Sequence, residues 1–420
     1  MKNPFAASDH VVTNIDNSRS SWLIPQAILA VLTVLALCAV GFALQHEGTL
    51  SPGGSNDAVP VVSHVGPTSF VGDGPYGVGV STEHIMSSGM DVPVEIWYPT
   101  SADNAHGTGA TTALSNYLPK LLSAILPSSI TNLTIPLYGF FNVPVAQGQF
   151  PIVVFSHGYG GFNVQSTFLM SHLASWGYVV AAPEHTTRDL AAVLSQLITK
   201  QALPTANGQD VTDLTSTIAS LGTWNTTSSS PFYNHLDMTR IAAIGHSEGG
   251  IAAQQLAATQ PNVRAYVGLA GAVDPSAPDG VSTAVPKSAS LLMSGTLDKV
   301  VPTSSVVRAY DSFHAPKRFI ELNNAGHLVF SNACSLASVV NLSELAHQFH
   351  VNIPASLLGI TSDGCQVKAA TTGQAWPVID QAVVAEVRWA MGFDKSQAGL
   401  SGLASEFPSV IAQNTTAPNA

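Results

Sequence analysis

With 420 residues and 45% hydrophobic side chains, the chain can bury a large core, and one body of about 300 residues with appendages fits better than two equal domains. Charged residues make up only 10%, and 26 acidic against 15 basic side chains give a net charge of −11. That balance excludes electrostatic wrapping of nucleic acid, and no Lys/Arg run offers a phosphate-binding stripe.

Residues 1–21 read as a cytoplasmic N-terminal tail. From Trp22 to Leu44 no charged residue occurs, and these 23 residues would span about 35 Å as a helix, enough for a hydrocarbon core of about 30 Å. Lys2 and Arg19 precede the run and the next basic residue is Lys120, which puts the N-terminus inside and the body outside. Two readings stand: a transmembrane signal anchor, or a signal peptide cut after Ala43. The run is longer than the usual apolar stretch of a signal peptide, which favours the anchor. Pro25 and the flanking charges argue against a buried core helix. Residues 45–74, rich in Gly, Ser, Pro and Val, read as a flexible linker. Residues 75–395 are the expected folded body, and 396–420, rich in Ala, Ser, Asn, Thr and Pro, read as a disordered tail.

Within the body, Gly77–Met86 and Asp91–Pro99 alternate apolar and polar residues around Ser88-Gly89, the pattern of a hairpin. Residues 102–149 are Leu-, Pro- and Gly-rich, with a short helix expected at Leu114–Leu126. Beyond Pro151 the apolar runs Ile152–Phe155, Val179–Ala182, Ile241–Ile244, Tyr266–Ala270, Leu291–Ser294 and Arg318–Leu322 suit strands buried on both faces. Helical patterns separate them at Val164–Trp176, Asp213–Leu221, Ser247–Thr259 and Ser304–Phe313, and a last one covers Val378–Met391. This alternation predicts an α/β fold with a mostly parallel, doubly wound sheet, whose site lies at the carboxyl ends of its strands.

Gly245-His-Ser-Glu-Gly249 follows the Ile241–Ile244 run and opens a small-residue helix. A Gly-x-Ser-x-Gly sequence at a strand-to-helix turn exposes its serine hydroxyl, so Ser247 is the candidate nucleophile. Glu248 is read as a charge at a helix N-terminus, with its backbone N–H more important than its carboxylate. Phe155-Ser-His-Gly-Tyr-Gly-Gly161 closes an earlier strand, and the N–H groups of Tyr159 and Glu248 are the candidate oxyanion donors. His157 is read as structural. A serine needs a base held by a carboxylate, and in this arrangement acid and base follow it in the chain. His327 follows the last strand in Asn324-Ala-Gly-His327 and is the candidate base. Two acids compete: Asp298, after the penultimate strand, and Asp274, after the strand before that. Asp298 is favoured because Pro302 and the following helix would fix its loop. Three cysteines, Cys38, Cys334 and Cys365, show no Cys-x-x-Cys or Cys/His spacing, so no metal site is expected; Cys334 and Cys365 remain a possible pair. No cofactor is expected.

Asp91-Val-Pro-Val-Glu-Ile-Trp-Tyr-Pro99, Phe155-Ser-His-Gly-Tyr-Gly160, Ala182-Pro-Glu-His-Thr-Thr-Arg-Asp189 and Gly245-His-Ser-Glu-Gly-Gly250 together resemble the platelet-activating-factor acetylhydrolase-like family of α/β-hydrolases, whose bacterial members are often described as predicted dienelactone hydrolases. The resemblance spans residues 75–395. It implies a Ser–Asp–His carboxylic ester hydrolase acting on short-chain or polar acyl esters. In the animal acetylhydrolases the acid lies within Leu-Asp-Ala-Trp; here that place reads Leu269-Ala-Gly-Ala272. The segments around Asp298 and His327 are similar instead to the bacterial branch and to secreted cutinase-like polyester hydrolases, which adds weight to Asp298. A Cys soon after the catalytic His and a later Gly-Cys are familiar in that branch, so the resemblance implies a Cys334–Cys365 disulfide and an oxidising compartment. The partners expected are a small-molecule or lipid ester and, through the N-terminal segment, a membrane. A secreted lipase or polyester hydrolase and a non-catalytic membrane-tethered scaffold are the competing readings.

Overall fold

The computed structural model describes residues 58–203, 208–276, 284–334, 362–366 and 369–417. The expected cytoplasmic tail (1–21), the expected anchor or signal peptide (22–44) and the first part of the expected linker lie outside them. Among the described residues no helix is long and apolar enough to cross a membrane.

Twelve strands occur among the described residues: β1 Gly77–Ser87, β2 Met90–Thr100, β3 Thr111–Ala113, β4 Thr134–Pro136, β5 Phe140–Phe141, β6 Phe150–Ser156, β7 Val179–Pro183, β8 Leu236–His246, β9 Val263–Leu269, β10 Ala289–Gly295, β11 Lys317–Leu322 and β12 Ile411–Ala417. Ten form one sheet in the order β12-β11-β10-β9-β8-β6-β7-β2-β1-β5. From β7 to β11 neighbours run parallel. The β1/β2 hairpin turns at Ser88-Gly89, both with positive φ, and joins β7 antiparallel.

The parallel strands carry central apolar runs, such as Ile152–Phe155 and Ile241–Ile244, because both faces of the sheet are covered there. On β6, Val153 and Phe155 enter one core while Ile152 and Val154 enter the other. The first core is roofed by α1 Thr167–Ser175 and α6 Thr372–Ala390; the second by α3 Gln209–Thr226, α4 Glu248–Thr259 and α5 Thr303–Ser312. Helix starts follow local chemistry. Asp189 caps α2 Leu190–Thr199 by accepting from Ala192 N–H, and Thr371 and Gln374 form a reciprocal capping box on α6.

Three expectations need correction. Residues 58–74 are not a free tether: Phe70 N–H donates to Gln381 Oε1 at 2.6 Å, Gly74 N–H donates to Ser175 Oγ at 2.8 Å, and Phe70 is wholly buried. Arg388, in a bidentate pair with Asp394, also donates to Pro60 O at 3.0 Å. Residues 396–417 are not a disordered tail either. Leu400 and Leu403 are buried, and β12 pairs antiparallel with β11 from Lys317↔Ala417 to Leu322↔Ile411. Composition misled here because Ser, Thr and Asn suit an edge strand whose backbone bonds carry the pairing. The expected helix at 114–126 is broken at Pro119 into a 3-10 turn, Leu114–Tyr117, and a short helix, Lys120–Ile125.

Candidate active site

Strands β6, β8, β9, β10 and β11 are parallel neighbours, so the loops leaving their carboxyl ends share one edge of the sheet. Ser247 sits between β8 and α4 with φ 56° and ψ −126°. A non-glycine residue at such a φ costs about 1–3 kcal/mol and persists only where its surroundings hold it. Here Ser247 N–H donates to Leu269 O and Ser247 O accepts from Gly250 N–H, each at 2.9 Å. The turn closes because its glycines carry no side chain. A Cβ at Gly245 would strike the Gly249 carbonyl, and one at Gly249 would strike the carbonyls of Ser156 and His157.

His327 presents Nε2 to Ser247 Oγ at 2.9 Å and Nδ1 to Asp298 Oδ2 at 2.9 Å. A carboxylate can only accept, so Nδ1 carries the proton and Nε2 is free to accept from the hydroxyl. The other oxygen, Asp298 Oδ1, accepts from Val300 and Val301 N–H at 2.9 and 2.7 Å, leaving the carboxylate fully engaged in a buried setting. Asp274, the competing acid, instead accepts from Ser276 N–H and Oγ at 2.9 and 2.7 Å, and these bonds hold its carboxyl below the ordinary value. The structure thus brings Ser247, His327 and Asp298 together and turns Asp274 to a local turn.

Tyr159 lies in the loop after β6, and Glu248 is the first residue of α4, where a helix leaves its opening N–H without an intrahelical acceptor. Burial raises the Glu248 carboxyl while Arg188 counters it. The loop carrying Tyr159 is fixed by neighbours that local sequence patterns did not single out. Gln165 Oε1 accepts from Gly158 N–H at 3.1 Å and Arg188 Nη1 donates to His157 O at 2.8 Å. His157 is structural: Nδ1 donates to Gly158 O and Nε2 accepts from His185 N–H.

Beneath this loop, Asp213, His185 and Ser156 repeat the connectivity of acid, imidazole and hydroxyl. His185 Nδ1 donates to Asp213 Oδ2 at 3.0 Å, and Nε2 accepts from Ser156 Oγ at 2.8 Å. Ser156 and His185 have no exposure, and desolvation, then Arg188 and His157, hold His185 far below its ordinary value, hence neutral. With no access for a reactant, this set braces the loop. His246 is likewise buried and neutral, its proton disfavoured by desolvation and by His327. It accepts from Gln165 Nε2 and donates to His327 O at 3.1 Å. Position x of Gly-x-Ser-x-Gly is the signal that marks His246; nothing local marks Gln165.

Cys334 and Cys365 form a disulfide. Among the described residues no group of three or more His, Cys, Asp or Glu side chains is arranged to hold a metal ion.

A central parallel sheet with a serine at a strained strand-to-helix turn is the architecture of the α/β-hydrolases. A family model described as PET hydrolase-like matches residues 140–347. Platelet-activating factor acetylhydrolase of Cavia porcellus is 30% identical over 135 residues, 29% of this chain and 29% of that protein. Cutinase est1 of Thermobifida alba is 28% identical over 202 residues, 45% of this chain and 57% of its own length. The matched stretches thus cover less than two thirds of either relative. The chain has the α/β-hydrolase architecture and, over these stretches, is similar to PET hydrolase-like, platelet-activating factor acetylhydrolase and cutinase proteins.

Proposed function

We propose that the protein is a carboxylic ester hydrolase working through Ser247, His327 and Asp298. The observation that carries this reading is the continuous hydrogen-bonded line from Ser247 Oγ through His327 to Asp298, with 2.9 Å at each step. Ser247 attacks the ester carbonyl as His327 Nε2 takes its proton, and Asp298 stabilises the resulting imidazolium. The N–H groups of Tyr159 and Glu248 receive the oxyanion, a contribution of about 3–4 kcal/mol per preorganised donor in comparable sites. Protonated His327 releases the alcohol, then activates water to free the acid. The chemistry needs no cofactor.

Short-chain or polar acyl esters are the first substrate class. A second class, longer acyl chains or polyesters, is favoured by the PET hydrolase-like match and the cutinase relative. The catalytic body acts outside the cytoplasm, tethered by residues 22–44 or released after cleavage; the Cys334–Cys365 disulfide favours an oxidising compartment. Hydrolysis of p-nitrophenyl acetate by wild type and Ser247→Ala tests the reaction: activity lost in the variant supports it, and unchanged turnover would falsify it. Profiling over acyl length and solid polyester separates the two substrate classes. Wild-type protein that resists a fluorophosphonate probe under native conditions would point to a non-catalytic scaffold instead.

A further inference from the structure

The candidate base and acid stand on separate loops, His327 after β11 and Asp298 after β10. Their 2.9 Å approach depends on how these loops are held against each other. A single buried oxygen lies across both. Asp363 Oδ2 accepts from His327 N–H at 2.8 Å and from Lys299 N–H, next to Asp298, at 3.2 Å. The backbone of the same residue adds a third tie, since Asp363 O accepts from Leu328 N–H at 3.0 Å.

The turn that presents Asp363 is itself pinned. Cys365 N–H donates to Ser362 O at 3.1 Å, and Gly364 follows with φ +90°, a conformation that glycine adopts without steric cost. A Cβ at Gly326, just before His327, would come within 2.5 Å of Gly364 Cα, so the turn lies directly against the loop of the base. Cys365 is then bonded covalently to Cys334, seven positions beyond His327 in sequence.

We propose that Asp363 is a positioning residue that sets the His327–Asp298 geometry, and that the Cys334–Cys365 disulfide pins it in place. The inference rests on the proposed hydrolase reading. Asp363 touches no reacting atom. Its one oxygen fixes the separation of two backbone amides, and charge-assisted bonds from buried N–H groups are well suited to that task. Because a base misplaced by about 1 Å can cost about 100-fold in rate, the disulfide also makes turnover dependent on the redox state of the chain.

The test compares Asp363→Ala, Asp363→Asn and the double variant Cys334→Ser/Cys365→Ser with wild type in the full chain. Asp363→Ala is expected to lower kcat by about 10- to 100-fold with KM little changed, since substrate contacts are untouched. The low-field proton resonance of His327 Nδ1–H should weaken or vanish. Asp363→Asn keeps an acceptor oxygen and should recover most of both signals. The double cysteine variant retains Asp363 but frees its turn, and should lose kcat in the same KM-neutral way. A folded Asp363→Ala protein with wild-type kcat and an intact low-field proton overturns the proposal. If that variant does not fold, wild-type kcat in the double cysteine variant overturns it. Failure of the hydrolase reading is read separately, as wild-type turnover that survives Ser247→Ala.

Discussion

The side-chain amide of Gln165 donates to His246 Nδ1 at 2.9 Å, and this one bond couples the loop after β6 to the turn of the nucleophile. From His246 the connection runs on to the carbonyl of His327, so three loops of the site share one line of hydrogen bonds. Gln165→Leu removes both ends of that link. Each buried group left without a partner costs about 1–3 kcal/mol, so urea unfolding should move to a lower midpoint and kcat should fall as the oxyanion loop loosens. A variant with both quantities unchanged would remove Gln165 from this role.

The two acids that compete in sequence are separated by substitution. Asp298→Asn takes away the carboxylate that orients His327 Nδ1 and should lower kcat on the order of 10³- to 10⁴-fold. Asp274→Asn perturbs only a turn with Ser276 and should leave kcat at the wild-type level. Steady-state kinetics on one chromogenic ester distinguishes them. The reverse ranking would reassign the acid.

Gly249 approaches the carbonyls of Ser156 and His157 too closely for any side chain. Gly249→Ala forces β6 and α4 apart next to Glu248, one of the two proposed oxyanion donors. Such overpacking costs about 1–3 kcal/mol, and here it also displaces the Glu248 N–H. Thermal unfolding and acyl-enzyme burst size should both decline. A burst of normal amplitude would show that the turn can absorb the methyl group.

Burial pushes the carboxyls of Glu95, Asp380 and Glu386 up to about 7 from ordinary values of 4.5, 3.8 and 4.5. These groups keep their protons in the folded chain at a pH where the unfolded chain has lost them, so stability declines as pH rises. Their contribution is complete below the unfolded values and is lost as pH climbs through about 7. Melting temperature should therefore fall between about pH 5 and about pH 8. Glu95, whose Oε1 has no protein partner among the described residues, gives the test: Glu95→Gln should flatten that decline. An unaltered slope would exclude Glu95 as a contributor.

The parallel strands and Ser247 were legible because their signals are local. Ile152–Phe155 and Ile241–Ile244 are apolar on both faces, and Gly245 and Gly249 flank Ser247 in a five-residue pattern, Gly245 required by its own turn and Gly249 by the carbonyls of Ser156 and His157. Asp298 and His327 could be placed by strand order, which the sequence rhythm reveals. Gln165, Asp213 and Asp363 were not legible, since each makes a bond across 28 or more positions to a backbone or ring that no short pattern specifies. The C-terminal strand escaped for a different reason. Its partner, β11, supplies the backbone bonds, so its own side chains need little apolar character.

That last strand has a practical meaning for the edge it covers. Ending the chain near residue 395 would uncover the hydrogen-bonding groups of Lys317–Leu322, in a strand that includes buried Phe319, Ile320 and Leu322. An open, apolar edge of that kind recruits other chains by strand addition. A shortened protein of this design would therefore be expected to self-associate while keeping its site residues intact, and a boundary beyond Ala417 would keep that edge paired.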